Sequence, residues 1–219
     1  MIKNLIKLDF YTIKPLAKFM IFFMIIPVIL GIVADLGTSM IVTLTFVVFM
    51  LNIVFSISEC SSFGKLYGIL PIKKSANILS RYLFSLIIVA LTAIVSFIIF
   101  IVLSVISKGS IDWVYGIEFL LILTFIALFF ISIQYPFYFK FEYSKASIMA
   151  ILPYIACFVI GIPLVNYLMK NNVFYTRVMT TINYFHSNTV IFIFTNLGIS
   201  ALLVSGSYLL SRKIQKKEF

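Results

Sequence analysis

The chain has 219 residues, of which 63% are hydrophobic and 11% are charged, and its formal net charge is +10. An average soluble domain is about 45–50% apolar and about 25% charged. Because a compact soluble domain must expose much of its surface to water, this composition excludes an ordinary soluble protein, a disordered chain and a disulfide scaffold. It predicts a polytopic membrane protein.

The apolar stretches of the chain are long enough to cross a bilayer as helices. A hydrocarbon core about 30 Å thick requires roughly 20 apolar helical residues. We predict six spans, at about residues 19–36, 39–58, 82–106, 117–139, 147–169 and 189–210. The stretches lack the polar alternation of β-barrel strands, so the predicted fold class is an all-α integral membrane protein. The first span is the shortest, but the long lead and the lack of an A-x-A cleavage pattern favour a retained helix over a signal peptide.

The basic residues predict the orientation of the spans, because cytoplasmic loops retain Lys and Arg. Fourteen of the 17 lie in the N-terminal lead, in the loops after spans two and four, and in the C-terminal tail. The opposite loops contain only Lys108, Lys170 and Arg177. We therefore predict a multi-pass protein of the cell membrane with both termini in the cytoplasm.

The N-terminal lead, residues 1–18, has the pattern of an amphipathic interfacial helix. At about 100° per residue its lysines fall within an arc of about 60°, beside a broader apolar arc. Such a helix lies on the inner leaflet and presents its lysines to anionic lipid. Pro15 is expected at the bend into the first span. A frayed basic tail that acts only as a topology signal is the alternative. The lysines of the lead are Lys3, Lys7, Lys14 and Lys18.

The cytoplasmic loop at residues 59–81 is longer and more basic than a minimal connection. Ser61 or Ser62 could cap a short helix that runs to Leu70 and is ended by Pro71. This helix would suit docking on a soluble partner, and an interfacial helix that rests on lipid is an equally open alternative. The apolar face of the predicted helix consists of Phe63, Leu66, Tyr67, Ile69 and Leu70.

Residue types that carry chemistry are scarce in this chain. It has no G-x-x-x-x-G-K-[ST] sequence and no H-E-x-x-H sequence, so we expect no nucleotide or metal site of either kind. The single histidine, His186, cannot form a multi-histidine site, and the predicted topology separates Cys60 from Cys157 in depth. A membrane-embedded enzyme would need paired acids, paired histidines or a nucleophile at one depth, so it is the less favoured function class. Nothing indicates a nucleic-acid partner.

The middle of the predicted spans contains no charged residue, which argues against coupling to an ion gradient. The energy for any uphill transport would then come from a partner. Four amides are candidates for a transport pathway, although such residues more often form hydrogen bonds between helices. They are Asn52, Gln134, Asn166 and Asn196.

Six helix-breaking residues in spans one, four and five are candidate kinks, namely Pro27, Gly31, Pro136, Pro153, Gly161 and Pro163. The outer loop at 170–188 is either a small cap or gate, or a polar connector.

The long cytoplasmic loop also carries a resemblance to a known family. Residues 68–74, Gly-Ile-Leu-Pro-Ile-Lys-Lys, are followed by Leu-Ser-Arg-Tyr-Leu at 79–83. This pattern resembles the permease subunits of ABC-2 type transporters, in which Leu-Pro-x-x-basic precedes a basic-aromatic pair at the start of the third helix. Glu59 matches an acidic residue at the end of the second helix in that family. The chain is most similar to permeases that export phenol-soluble modulins, which are amphipathic helical peptides.

The resemblance implies the permease subunit of an ABC exporter of amphipathic peptides or lipid-like molecules, without a nucleotide site of its own. ATP and Mg would be bound by a separate ABC ATPase subunit, and a second permease chain, identical or different, would complete the pathway. A lantibiotic-immunity subunit is the alternative. The lead would be the elbow helix of the family, and the loop at 59–81 would be its coupling helix. The residues assigned to coupling are Glu59, Phe63, Gly64, Lys65, Leu66, Tyr67, Leu70, Pro71, Lys73 and Lys74.

Overall fold

The computed structural model describes residues 2–16, 19, 22–60 and 74–217, and no strand occurs among them. The elements are helices in chain order, and we number the α-helices from the N-terminus. They are α1 (Ile2–Ile13), a 3₁₀ turn (Lys14–Leu16), α2 (Ile25–Val33), α3 (Leu36–Cys60), α4 (Lys74–Lys108), α5 (Trp113–Lys140), α6 (Tyr143–Ala156), a π-helical segment (Cys157–Gly161), α7 (Ile162–Met169), α8 (Asn172–Ser187) and α9 (Thr189–Lys217).

Among the described residues, five helical stretches are long and apolar enough to cross a membrane, and they correspond to the predicted spans two to six. They are Leu36–Ile57, Ser75–Ser107, Trp113–Lys140, Tyr143–Met169 and Thr189–Lys216. The first predicted span, 19–36, includes positions outside the described residues, and α2 is the helix that the structure describes within it. The first span, and with it the total of six, therefore stays a prediction.

The helices extend beyond the apolar stretches from which they were predicted. Helix α3 begins at Leu36 instead of residue 39, and α4 begins at Lys74 instead of residue 82. Helix α9 continues through the basic tail to Lys217 instead of ending at residue 210. A helix satisfies its backbone hydrogen bonds within itself, and long basic side chains reach water, so helices continue where hydropathy falls. Hydropathy locates the membrane-buried part of a helix and not its ends.

The connections on the side of the bundle opposite α1 are ordered by local capping. Gly109 has φ of 67°, a conformation that glycine adopts easily, in the turn between α4 and α5. The Asp112 carboxylate then accepts a hydrogen bond from the Tyr115 backbone N–H at 3.1 Å, which caps α5. Most of the outer loop at 170–188 is helical, since residues 172–187 form α8, whose N-cap is Asn171. The cap or gate and the polar connector both stay open as predictions for this segment.

Span five is interrupted at its helix-breaking residues. Span five changes to a π-helical segment at Cys157–Gly161, between Pro153 and Pro163. Proline has no N–H to donate and crowds the preceding turn, so two of them ten residues apart disturb the ladder between them. In contrast, α5 continues through Pro136, and Pro27 lies within α2.

The core of the molecule is formed by α3, α4 and α5, with α9 packed along α5 and α4. A larger apolar cluster reaches α1 and α6, and a smaller one joins Leu36, Phe100 and Leu123 near the opposite end. Helix α9 packs against α5 and α4 through small residues, since its buried positions are Ser200, Ser207 and Ser211. We call the two ends of this bundle the α1 end, where α3 ends and α4 begins, and the α8 end.

The outer helices leave most of their apolar surface uncovered. Of Leu36–Ile57, 53% is buried within the chain, compared with 12% of Tyr143–Met169 and 6% of Thr189–Lys216. Apolar helix faces of this extent are stable in contact with lipid acyl chains or with another apolar helix. The architecture is therefore that of a membrane-embedded helical bundle.

Candidate functional site at the α1 end of the bundle

A buried ion pair joins the N-terminal helix to the bundle. The Asp9 Oδ1 and Arg81 Nη1 atoms lie 3.3 Å apart, and the two residues are 2% and 5% exposed. Leu5 and Ile13, four residues before and after Asp9, are buried on the same face of α1. Helix α1 thus packs against α4, with the charged Asp9 between two buried apolar residues on the same face.

Burial and the ion pair have opposite effects on the pKa of Asp9, and burial has the larger one. Burial raises the pKa of Asp9 to about 6, and the positive charge of Arg81 opposes this shift by lowering the pKa. Removal from water disfavours the carboxylate more strongly than Arg81 favours it. At neutral pH the pair is ionised, whereas mild acid protonates Asp9.

Arg81 also contacts the aromatic cluster at the end of α3. Its guanidinium carbon lies 5.2 Å from the ring centroid of Phe55, within cation–π distance. The Phe55 ring in turn packs against Tyr135 and Tyr138 of α5, with centroid distances of 5.0 and 4.7 Å. Arg81 therefore connects α1, α3 and α4, and through Phe55 it is linked to α5.

Tyr82, the next residue, joins α4 to the C-terminal helix. Its hydroxyl lies 2.6 Å from Ser207 Oγ and 2.9 Å from Ser211 Oγ. Ser207 Oγ donates its hydrogen to the Ser132 carbonyl at 2.6 Å. Since each hydroxyl has one hydrogen to donate, Tyr82 donates to Ser207 and accepts from Ser211. The Arg81–Tyr82 pair consequently links helix α4 to α1 and α3 on one side and to α5 and α9 on the other.

Glu59 is the assigned coupling residue whose side chain the structure describes. Its carboxylate accepts a hydrogen bond from the backbone N–H of Tyr143, so the last turn of α3 caps the first turn of α6. Lys74 is the first residue of α4, and nothing further is described for its side chain. The other assigned residues lie outside the described residues, namely Phe63, Gly64, Lys65, Leu66, Tyr67, Leu70, Pro71 and Lys73.

The four candidate pathway amides do not form one cluster. Gln134 is 1% exposed and its Nε2 donates to the Ala150 carbonyl at 3.1 Å, which joins α5 to α6. Asn52 is buried, Asn196 is half-buried on α9, and Asn166 is exposed on α7. No hydrogen bond between described residues joins two of these amides. Gln134 thus forms a hydrogen bond between helices, and the pathway role of the four amides stays a prediction.

The lysines of the lead share an exposed face, but the apolar face is used differently from the prediction. Lys3, Lys7 and Lys14 are exposed, and Lys18 lies outside the described residues. The ammonium groups of Lys7 and Lys14 lie 5.8 and 6.0 Å from the Tyr11 ring centroid. The apolar face was expected at the lipid headgroup boundary, but Leu5 and Ile13 are buried within the molecule, where α1 packs against α4.

A second charged contact lies at the α8 end. His186 Nδ1 is 3.0 Å from Glu118 Oε2 and joins α8 to the first turns of α5. The hydrogen bond to Glu118 raises the pKa of His186, and the negative charge of Glu118 adds to this effect. The two residues are 68 positions apart in sequence, so no local pattern could have predicted the contact.

Sequence reasoning also missed Asp9, although a signal was present. It is the single acid of a basic helix, and it lies four residues from both Leu5 and Ile13 on the apolar face. A carboxylate on an apolar face indicates a buried partner, because an unpaired buried charge is costly.

The fold and the site define a multi-pass membrane protein whose polar contacts are concentrated at the helix ends. A family model described as ABC-2 family transporter protein matches residues 4–216. The chain therefore belongs to the ABC-2 transporter family and is the membrane permease component of an ABC transporter, a system that includes a partner ATPase. Comparisons with curated proteins and with solved structures give no significant match.

Proposed function

We propose that this chain is the permease of an ABC exporter that moves amphipathic peptides out of the cell with energy from a separate ATPase chain. The observation that carries the proposal is the network at the α1 end. The Asp9–Arg81 pair, the Tyr82 hydrogen bonds and the Glu59 contact connect helices on both sides of residues 61–73. A permease that receives mechanical work at one loop needs connections of this kind.

Residues 61–73 are the proposed docking segment for the ATPase. They connect α3 to α4, and Glu59 lies two residues before the start of the segment. A displacement of the segment would act on both helices directly, and on α6 through the hydrogen bond from Tyr143 to Glu59. ATP and Mg would be held by the partner, since this sequence has no P-loop motif.

The proposed orientation places the α1 end in the cytoplasm. The exposed Lys3, Lys7 and Lys14 would meet the anionic headgroups of the inner leaflet, each contributing about 1 kcal/mol near such a surface. Helix α1 is then the elbow helix, held to the bundle by its buried face and to lipid by its lysines. The α8 end, with the His186–Glu118 contact, would face the outside.

The proposed substrate class follows from the resemblance to peptide exporters and from the apolar surface of the bundle. A cavity of about 310 Å³ opens between α4, α5 and α9, and its walls include Leu86, Leu128, Leu197 and Ser200. Apolar walls with a few hydroxyl groups suit one face of an amphipathic helix. The uncovered faces of Tyr143–Met169 and Thr189–Lys216 leave room for a second permease chain beside the bundle.

The proposed function is tested by co-purification in mild detergent. Replacing Phe63, Leu66 and Tyr67 with Ala removes the apolar side chains proposed to anchor the ATPase. We expect at least about a tenfold loss of co-purified ATPase, because truncating a buried anchor typically costs more than about 1 kcal/mol. The matched control replaces Val173, Phe174 and Tyr175, three exposed residues of α8, and should retain the ATPase. Unchanged co-purification by the loop variant, with the native chain retaining its ATPase, would contradict the docking assignment.

The direction and substrate are tested in cells with a phenol-soluble modulin as the probe peptide. An exporter is expected to release peptide made inside the cell, so cells without the permease should accumulate it. An immunity subunit would instead protect cells from added peptide while leaving release unchanged. Protection without export would favour the immunity function, and neither effect would exclude this peptide class.

A further inference from the structure

We propose that the Asp9–Arg81 ion pair makes α1 a moving part of the coupling apparatus, so that α1 and the first turns of α4 shift as one body. The inference rests on the proposed function, in which the ATPase acts on residues 61–73. It goes beyond that function because it assigns a transmission role to the N-terminal helix and names the two residues that provide it.

The first argument is the burial and specificity of the pair. Apolar residues of similar size are often as stabilising at such a site as a buried ion pair, whereas removing one partner typically costs about 3–5 kcal/mol. The flanking Leu5 and Ile13 would hold α1 against α4 without any charge. An ion pair at 3.3 Å adds a defined register between the two helices, which sliding apolar contacts lack. Phe10, edge-on to Phe84 at 5.0 Å, places a second α1 contact one turn further along α4.

The second argument is the position of Arg81. It lies seven residues after Lys74, the first residue of α4, which is about 10 Å along a helix from the proposed docking segment. Its guanidinium also lies over Phe55, one turn before Glu59 on α3. Arg81, which lies on α4, therefore contacts both α1 and α3. Helices α3 and α4 are the two that flank residues 61–73. A shift at the start of α4 would move Arg81 and, through the ion pair, α1.

The third argument is the opposite face of α1. Lys3, Lys7 and Lys14 are exposed there, so the helix has one face bound to α4 and another available to lipid headgroups. A helix attached in this way can move along the membrane surface with α4 while it stays at the interface. We infer a positioning role for Asp9 and Arg81, since neither needs to contact the transported molecule.

The first test uses the purified complex of this chain with its ATPase. The quantity measured is the difference between ATP hydrolysis by the complex and by the ATPase alone. We expect Asp9→Asn and Arg81→Gln each to reduce this difference by about tenfold or more while the ATPase still co-purifies. The exchanged pair, Asp9→Arg with Arg81→Asp, should restore part of it, and the exposed control Asn4→Gln on α1 should leave it unchanged. A single variant that co-purifies and hydrolyses ATP as the native complex does would overturn the inference.

The second test does not depend on removing the pair. Spin labels at the exposed positions Lys7 and Ile87 report the distance between α1 and α4, and a label at Val114 gives a reference at the α8 end. We expect the 7–87 distance to stay constant on ATP binding and the 7–114 distance to change. A changed 7–87 distance, or an unchanged 7–114 distance, would overturn the inference. Failure of the native chain to co-purify any ATPase would instead count against the proposed function.

Discussion

Asp9 is the single acidic residue of α1, and its surroundings determine how it responds to pH. The residue is 2% exposed, and its carboxyl group faces Arg81. Because burial is the larger effect, the pKa of Asp9 is raised to about 6, above the ordinary value near 3.9. The folded state thus binds a proton in a pH range in which the unfolded chain has released it.

This difference gives a pH-dependent contribution to stability. For a carboxyl group with a raised pKa, the contribution is complete below about pH 4 and is lost as the pH rises through about 6. We expect the melting temperature of the native chain in detergent to fall between pH 4 and pH 7 more steeply than that of Asp9→Asn. Glu142→Gln, which removes an exposed carboxyl group at the same end, is the control. Parallel profiles for the native chain and Asp9→Asn would contradict this expectation.

At the scale of the helices, close packing depends on glycine where a side chain of a neighbouring helix occupies the space of a Cβ atom. A Cβ atom added to Gly116 of α5 would lie 2.5 Å from Cε1 of Phe100, a ring that is 1% exposed. The same addition at Gly198 of α9 would meet no atom within 4 Å. One substitution thus has opposite consequences in two helices of similar composition.

We expect Gly116→Ala to destabilise the chain by about 1–3 kcal/mol, since overpacking displaces a buried ring. Gly198→Ala is the matched control and should be neutral or slightly stabilising, because alanine favours a helix over glycine by up to about 1 kcal/mol. Unfolding in detergent with increasing denaturant measures both changes. Phe100→Leu in the Gly116→Ala background should recover part of the loss. Equal stability of the two glycine variants would show that α4 and α5 do not pack as described.

At the scale of the whole molecule, the charged contacts lie at the two ends of the bundle. The α1 end contains the buried pair and the exposed lysines, and the α8 end contains Gly109, Asp112 and the His186–Glu118 contact. Because basic residues are retained on the cytoplasmic side, the proposed orientation places the α1 end inside.

This orientation is tested by labelling with a membrane-impermeant maleimide. A cysteine at the exposed Ser110, in a chain with Cys60 and Cys157 changed to Ser, should react in intact cells. A cysteine at the exposed Lys213 should react only after the cells are permeabilised. Reaction at position 213 but not at position 110 in intact cells would reverse the orientation.

Much of the architecture follows from local sequence for a physical reason. In a bilayer each backbone group must be hydrogen-bonded within the protein, so a long apolar stretch has few alternatives to a helix. Spans two to six could therefore be predicted from the positions of the long apolar stretches alone. The π-helical segment at Cys157–Gly161 was also foreseeable as an interruption, since Pro153 and Pro163 bracket it.

The candidate site could be predicted only in part. Arg81 and Tyr82 were noticed as a motif and Glu59 as an isolated acid, but their partners were not. Tyr82 and Ser207 are 125 positions apart, and Tyr143 contributes a backbone N–H that no residue type reveals. Such pairings depend on which helices become neighbours, and side-chain periodicity along one helix does not contain that information.

The sequence by itself determined the class of protein, the membrane-crossing segments and the side expected to carry the positive charge, because these follow from the transfer of residues between water and lipid. The tertiary structure decided that Asp9 meets Arg81, that Tyr82 joins α4 to α9, and that Gln134 forms a hydrogen bond between α5 and α6. The reason is that each of these contacts requires a specific packing of helices whose hydropathy is nearly the same.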